Sequence, residues 1–73
     1  ISTGGTSINV VNALESANYL GCKTIGFSGR GGGEFNNMCD VNIIIPATET
    51  ARIQEMHILV GHIICQLIDL EFC

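Results

Sequence analysis

Hydroxyl and glycine residues crowd the start of the chain, in the run Ser2-Thr3-Gly4-Gly5-Thr6-Ser7. A helix is predicted directly after this run, and the backbone N–H groups of its first turn lack partners within the helix. Those N–H groups and the helix dipole attract anions, while the glycines let an anion approach the backbone. No lysine follows, which argues against a nucleotide P-loop. The run predicts either an anion site or a plain turn in which Ser7 caps the helix.

The predicted last helix carries two imidazoles and a carboxamide, from His57, His62 and Gln54. His57 and His62 are five residues apart and point in different directions, so they do not form a metal pair on one face. Gln54 and His62 are separated by about 12 Å along the helix axis and by about 80° around it. One ion contacts both only if both side chains extend toward it, or its ligands come from different subunits. The alternative interpretation is that each histidine is a satisfied core or interface residue.

A second glycine-dense run, Gly29-Arg30-Gly31-Gly32-Gly33, follows a predicted strand. It lacks the glycine spacing of a dinucleotide-binding loop, and no long helix begins behind it. The simplest interpretation is a flexible crossover loop. Arg30 is the exception within it, because a guanidinium at this point could reach an anion or a neighbouring chain.

The elements that must position these residues alternate between strand and helix. In order, they are a strand ending at residue 1, a helix at 8–20, a strand at 23–28, a helical turn at 34–38, a strand at 41–45 and a helix at about 51–72. Threefold to fourfold apolar spacing indicates the two long helices, and the β-branched run before Pro46 is typical of a buried parallel strand. This order predicts an α/β fold with a parallel sheet and right-handed crossovers, about half of a doubly wound domain.

Composition limits the possible partners. Three basic and seven acidic residues give a net charge of −4 without a Lys/Arg cluster, so direct binding to nucleic acid is not expected. The longest apolar stretch, at 56–70, is interrupted by His57, His62, Gln66 and Asp69, so no membrane span is predicted. The cysteine spacing matches no zinc ribbon or redox motif, and reduced, mostly buried thiols in a soluble cytoplasmic protein are expected.

An apolar content of 47% is high for 73 residues. A free-standing domain of this size should have a mostly polar surface. Because the chain also opens at Ile1 as if within an element, we expect further chain, an oligomer, or both.

Together these segments resemble the second half of a sugar isomerase (SIS) domain, and most of all the phosphoheptose isomerases. The most specific part is the run Thr50-Ala51-Arg52-Ile53-Gln54-Glu55-Met56-His57-Ile58-Leu59-Val60-Gly61-His62. The two glycine-containing loops fall at the expected distances upstream. The resemblance covers the whole chain and implies that residues 1–73 are the C-terminal part of one SIS domain without its N-terminal half. It also implies a flavodoxin-like, doubly wound, three-layer sandwich with a parallel sheet.

The resemblance implies an enzyme that interconverts sedoheptulose 7-phosphate and D-glycero-D-manno-heptose 7-phosphate through an enediol. By its pattern, Ser2, Thr3 and Ser7 contact the phosphate and Gly4 contributes backbone. Family members usually have Ser in place of Gly4 and Asn in place of Thr6, which alters one hydroxyl contact. Gln54 corresponds to a substrate and metal contact, and His62 to the catalytic histidine and zinc ligand.

The same resemblance implies one zinc ion per subunit, a homotetramer and a sugar phosphate as the substrate. The other metal and acid–base residues, a His and a Glu, belong to the N-terminal half, so the segment alone is expected to be inactive. Two alternatives stay open. One is a tetrameric regulator that binds the replication initiator and has Asn in place of His62, so His62 favours the enzyme. The other is a phosphosugar-sensing SIS module attached to a DNA-binding domain.

Overall fold

A computed structural model describes residues 1–72 as three helices and two strands. The elements are α1 (Ile8–Tyr19), β1 (Ile25–Gly29), α2 (Phe35–Met38), β2 (Val41–Ile45) and α3 (Thr50–Phe72). This order confirms the predicted α/β alternation. The last helix begins at Thr50, one residue before the predicted start, and Ile53 donates its N–H to the carbonyl of Glu49.

The sheet consists of β1 and β2, which pair in parallel from Ile25 opposite Val41 to Gly29 opposite Ile45. The predicted strand ending at Ile1 is absent from the described residues. In its place, the Ser2 N–H donates to the carbonyl of Phe27 over 2.9 Å. That single contact nevertheless positions the Ser/Thr loop, which we define as residues 2–7, at the carboxyl end of β1.

Helices contact both faces of the sheet. Alternate residues of β1 point to opposite faces, and a Cβ placed on Gly29 would meet the side chain of Ile53 in α3. A Cβ on Gly26 would instead meet Phe35 of α2. Ile53 and Phe35 are both fully buried, so each helix is held by one apolar anchor against its own face of β1.

The first helix ends at the predicted glycine. Gly21 has φ +80°, its N–H donates to Asn18, and the N–H of Cys22 donates to Ala17. These two bonds form a Schellman motif, which needs a residue in the left-handed region and therefore favours glycine. Ser7 occupies the N-cap position as predicted, but its side chain makes no capping bond to the helix.

The glycine-rich loop, residues 29–33, is tied down by side chains rather than free. Ser28 donates its hydroxyl proton to Asn42, Asn42 donates to Asn36, and Asn36 donates to the carbonyl of Gly31. The interpretation of a flexible crossover loop did not include these bonds. The reason lies in Asn42 and Asn36, whose amides are brought together only when β2 and α2 pack around β1.

The long final helix leaves most of its apolar surface uncovered by residues 1–72. Ile53 and His57 are its buried residues, whereas Leu67 is 61% and Leu70 is 76% exposed. By length and composition α3 is the one described helix that meets the requirements for crossing a membrane, with a mean hydropathy of 1.2 over its most apolar window. A core helix of a larger protein meets the same requirements, so the predicted cover by more protein stays a prediction.

The described cysteines are free thiols, as expected. The prediction that they are mostly buried is wrong for Cys22 and Cys65, which are exposed. Cys22 directly follows the surface turn that ends α1, and Cys65 lies on the uncovered part of α3. Cys39 is half-buried beneath Gly26, and burial raises the pKa of its thiol. Cys73 lies outside the described residues.

Candidate functional site

The Ser/Thr loop is braced by its own hydroxyls. The Oγ atoms of Ser2 and Ser7 are 2.9 Å apart, and the Gly5 N–H donates to Ser2 Oγ over 3.1 Å. Ser2 is buried, Thr3 and Gly4 are half-buried, and Ser7 is exposed. Of the four predicted phosphate contacts in this loop, Ser2 is thus a buried bracing residue, whereas the other three are at least partly exposed.

The glycine-rich loop packs directly on the Ser/Thr loop. A Cβ on Gly5 would lie 2.1 Å from the carbonyl oxygen of Gly32, and a Cβ on Gly33 would lie 2.4 Å from that of Gly4. The Glu34 N–H also donates to the carbonyl of Gly5 over 2.9 Å. Because no other residue type permits these approaches, the glycines serve to join the two loops.

The start of α3 completes the same edge of the sheet. A Cβ on Gly29 would lie 2.7 Å from the Ile53 side chain and 2.9 Å from the carbonyl oxygen of Thr3. Gln54, the next residue along α3, is exposed and lines a surface cavity of about 270 Å³. Ile1, which directly precedes the Ser/Thr loop, lines the same cavity as Gln54, although more than half of the chain separates the two residues.

His57 is a buried anchor of α3 with one nitrogen to spare. Its side chain is 2% exposed, and Nε2 donates to the carbonyl of Ser28 over 2.8 Å. The donor must be Nε2 because a carbonyl only accepts. Nδ1 is buried and has no partner among residues 1–72. The interpretation of His57 as a core residue is confirmed, but full satisfaction of its ring is not.

Gln54 and His62 lie on one side of α3, with Ile58 midway between them at four-residue spacing. Gln54 and His62 are both exposed, and the stripe they form lies next to the buried residues Ile53 and His57, which face β1. A carboxamide oxygen and an imidazole nitrogen both bind zinc, but a zinc ion takes four ligands. Within residues 1–72 no cluster of three or more His, Cys, Asp or Glu side chains exists. The described residues alone do not complete a zinc site.

The sequence comparison and the structure comparison found the same kind of protein. A phosphoheptose isomerase of Aliarcobacter butzleri is 61% identical over 71 residues, which are 97% of this chain and 38% of that protein. Nearly the whole chain is therefore homologous to one part of proteins named phosphoheptose isomerase. A phosphoheptose isomerase of Nitratiruptor is 54% identical over 72 residues, which are 99% of this chain and 38% of that protein. No protein-family model matches the chain.

A solved phosphoheptose isomerase has the same backbone arrangement. The structure from Francisella tularensis superimposes with a TM-score of 0.89 at 38% identity, over 94% of this chain and 39% of that one. The chain thus spans well under half the length of the phosphoheptose isomerases it matches. This chain, with its two loops and α3, therefore corresponds to one part of the solved isomerase structure.

The sequence left Arg30 open between an anion and a neighbouring chain, and it did not predict the position beside Gly4 of the Ser/Thr loop that the structure shows. The hydrogen-bonded chain through Asn42 was also missed, although a carboxamide within an otherwise aliphatic strand is a signal for it, because a buried amide needs partners.

Proposed function

We propose that the complete protein containing these residues is an isomerase that interconverts sedoheptulose 7-phosphate and D-glycero-D-manno-heptose 7-phosphate through an enediol. The observation that carries this proposal is the match to proteins named phosphoheptose isomerase over nearly all of the chain. Because the chain spans only part of those relatives, the activity is assigned to the complete protein. The 73 residues alone are expected to be inactive.

The Ser/Thr loop is proposed to hold the phosphate. Thr3 and Ser7 would donate hydroxyl protons, Gly4 would bring its backbone close, and Ser2 would act through its bond to Ser7. A phosphate anchored there directs the sugar toward the nearby start of α3. Gln54, which is exposed at that point, is proposed to contact the substrate.

His62 is proposed to be the catalytic residue of this segment. Aldose–ketose isomerisation moves a proton between adjacent carbons, so one group must remove it and another must protonate an oxygen. An imidazole titrates near neutral pH and can do either. The exposure of His62 on the same side of α3 as Gln54 supports this role.

Zinc, one ion per subunit, is proposed as the cofactor on the strength of the resemblance. Gln54 and His62 would be two of its ligands, and the others would come from residues outside this chain. When bound, zinc would polarise the sugar carbonyl.

The remaining parts of the proposal concern the whole protein. We place residues 1–73 in the C-terminal part of a single SIS domain with a doubly wound, three-layer sandwich, assembled as a cytoplasmic homotetramer. Helices on both faces of the sheet and the uncovered apolar surface of α3 support this arrangement. No membrane or direct nucleic-acid partner is proposed.

Turnover of sedoheptulose 7-phosphate by the complete protein, with and without added zinc, tests the function. His62→Ala should lower kcat by at least about 100-fold, as expected for loss of a general acid or base. Gln66→Ala, an exposed polar change one turn further along α3, is the matched control and should leave kcat unchanged. Normal turnover by His62→Ala would contradict the assigned role.

The two alternative functions have no support from the comparisons, in which the relatives carry the isomerase name. A folded complete protein that shows no isomerase activity, either with or without added zinc, would favour one of these alternatives.

A further inference from the structure

Arg30 places a guanidinium at the junction of the three segments that form the candidate site. Its Nε donates to the carbonyl of Thr48 over 2.9 Å, and its Nη2 donates to the hydroxyl of Thr50. A Cβ on Gly4 would lie 3.9 Å from Arg30 Nη1. The side chain therefore spans from the first residue of α3 to the Ser/Thr loop.

The charge of Arg30 is not neutralised by its partners. A carbonyl and a hydroxyl oxygen orient the guanidinium but carry no formal charge. Within residues 1–72 the one ion pair joins Arg52 to Glu55, on the surface of α3. The third cation, Lys23, precedes β1 and so lies at the opposite end of that strand. Among the basic side chains of residues 1–72, Arg30 is thus the one that lies beside the Ser/Thr loop.

The backbone at Arg30 adds an independent argument. Arg30 has φ +50°, in the left-handed region, while its neighbours Gly31 and Gly32 have φ +85° and +92°. A glycine would adopt this conformation without strain, and an arginine does so at a cost. Strained non-glycine residues gather at functional sites, where the side chain is needed at that point. Arg30, with one glycine before it and three after it, fits this pattern.

We infer that Arg30 is a phosphate-binding residue of this site, with its Nη1 edge directed at the phosphate held by the Ser/Thr loop. The inference rests on the proposed function, because it takes the ligand of that loop to be a phosphate. Two of the five guanidinium N–H groups hold Arg30 in place, which leaves the Nη1 pair to donate to phosphate oxygens. The glycine-rich loop thereby contributes the positive charge that the hydroxyl loop lacks.

The test compares Arg30→Gln with the wild type in the complete protein. A lost charge-assisted contact should raise KM for sedoheptulose 7-phosphate by roughly 10- to 100-fold and change kcat by less than about threefold. Binding of inorganic phosphate, measured by calorimetry, should weaken by a similar factor. Arg30→Lys should recover part of the loss, because lysine keeps the charge but not the forked geometry.

Two further variants keep the result interpretable. Arg30→Gly removes the side chain together with the backbone strain, so it should fold even if Arg30→Gln does not. Lys23→Gln removes a remote, exposed charge and should leave KM and phosphate affinity within about twofold of the wild type, since surface charges at that distance are screened.

The outcomes separate this inference from the proposed function. If phosphate binds and its affinity falls in Arg30→Gln or Arg30→Gly but not in Lys23→Gln, the inference holds even if no isomerase activity is found. Phosphate affinity that is unchanged without Arg30 overturns the inference and leaves the isomerase standing. A wild-type protein that binds neither phosphate nor the sugar phosphate overturns both.

Discussion

At the residue scale, the candidate site depends on backbone atoms that approach more closely than any side chain would allow. Gly5 has φ +69° and its missing Cβ would overlap the carbonyl of Gly32. Gly31 has a similar φ of +85°, yet nothing lies within 4 Å of its missing Cβ. The two positions therefore share the backbone strain that a substitution would cause and differ in the contact between the loops.

This difference gives a matched pair of variants. Gly31→Ala should cost about 1–2 kcal/mol of unfolding free energy through strain alone. Gly5→Ala should cost about 2–5 kcal/mol, because the overlap with Gly32 is added to the same strain. Urea unfolding of the complete protein measures both, and phosphate affinity should fall for Gly5→Ala only. Equal losses at the two positions would contradict the packing of one loop on the other.

At the element scale, α3 is fixed to β1 by a stripe made of the buried residues Ile53 and His57 and the half-buried Gly61. Gly61 is part of it because its missing Cβ would lie 3.7 Å from the ring of Phe27, at ordinary contact distance. His57 adds a directional bond to the carbonyl of Ser28, and its ring centroid is 5.7 Å from that of Phe27. This stripe determines the rotation of α3 and hence the direction in which Gln54 and His62 face.

Replacing His57 tests that anchor. His57→Leu would fill the space but leave the Ser28 carbonyl buried without its donor, at a cost of about 1–3 kcal/mol. His57→Gln keeps an N–H donor of similar reach and should lose less. Thermal unfolding of the complete protein compares the two variants. A His57→Leu protein as stable as the wild type would show that packing alone holds α3 in place.

At the scale of the whole molecule, the chain has more apolar surface than it can cover. The uncovered part is the C-terminal half of α3, where the exposed side chains include Ile63, Leu67 and Leu70. Large exposed apolar patches mark interaction surfaces in soluble proteins. The length of the relatives, which extend far beyond these residues, is consistent with burial of this patch by further chain or by other subunits.

A charge placed in this patch distinguishes the possible forms of cover. Leu67→Glu should reduce the complete protein to smaller oligomers, measured by light scattering, because a carboxylate is not tolerated in an apolar interface. Gln66→Glu, the adjacent exposed position, adds the same charge outside the apolar stripe and should leave the assembly intact. An unchanged assembly in Leu67→Glu would contradict an interface here, and co-flotation of the wild type with lipid vesicles would point to a membrane.

Local interactions are what the sequence reveals by itself. Apolar spacing indicated both long helices, the β-branched run indicated β2 to the residue, and Gly21 marked the end of α1, because each signal acts within a few neighbouring positions. The resemblance rested on the contiguous run at 50–62 for the same reason. The residues of the Ser/Thr loop were likewise predicted together because they are adjacent in the chain.

Contacts between distant segments were decided only by the tertiary structure. Spacing does not reveal that Arg30 lies beside Gly4, that Asn42 and Asn36 brace the glycine-rich loop, or that His57 is buried with one nitrogen free. An apolar stripe likewise predicts that α3 is buried in the complete protein, but it does not indicate which chain or subunit covers the helix. The physical reason is that secondary structure follows from neighbouring residues, whereas the partners of a side chain depend on how the elements pack.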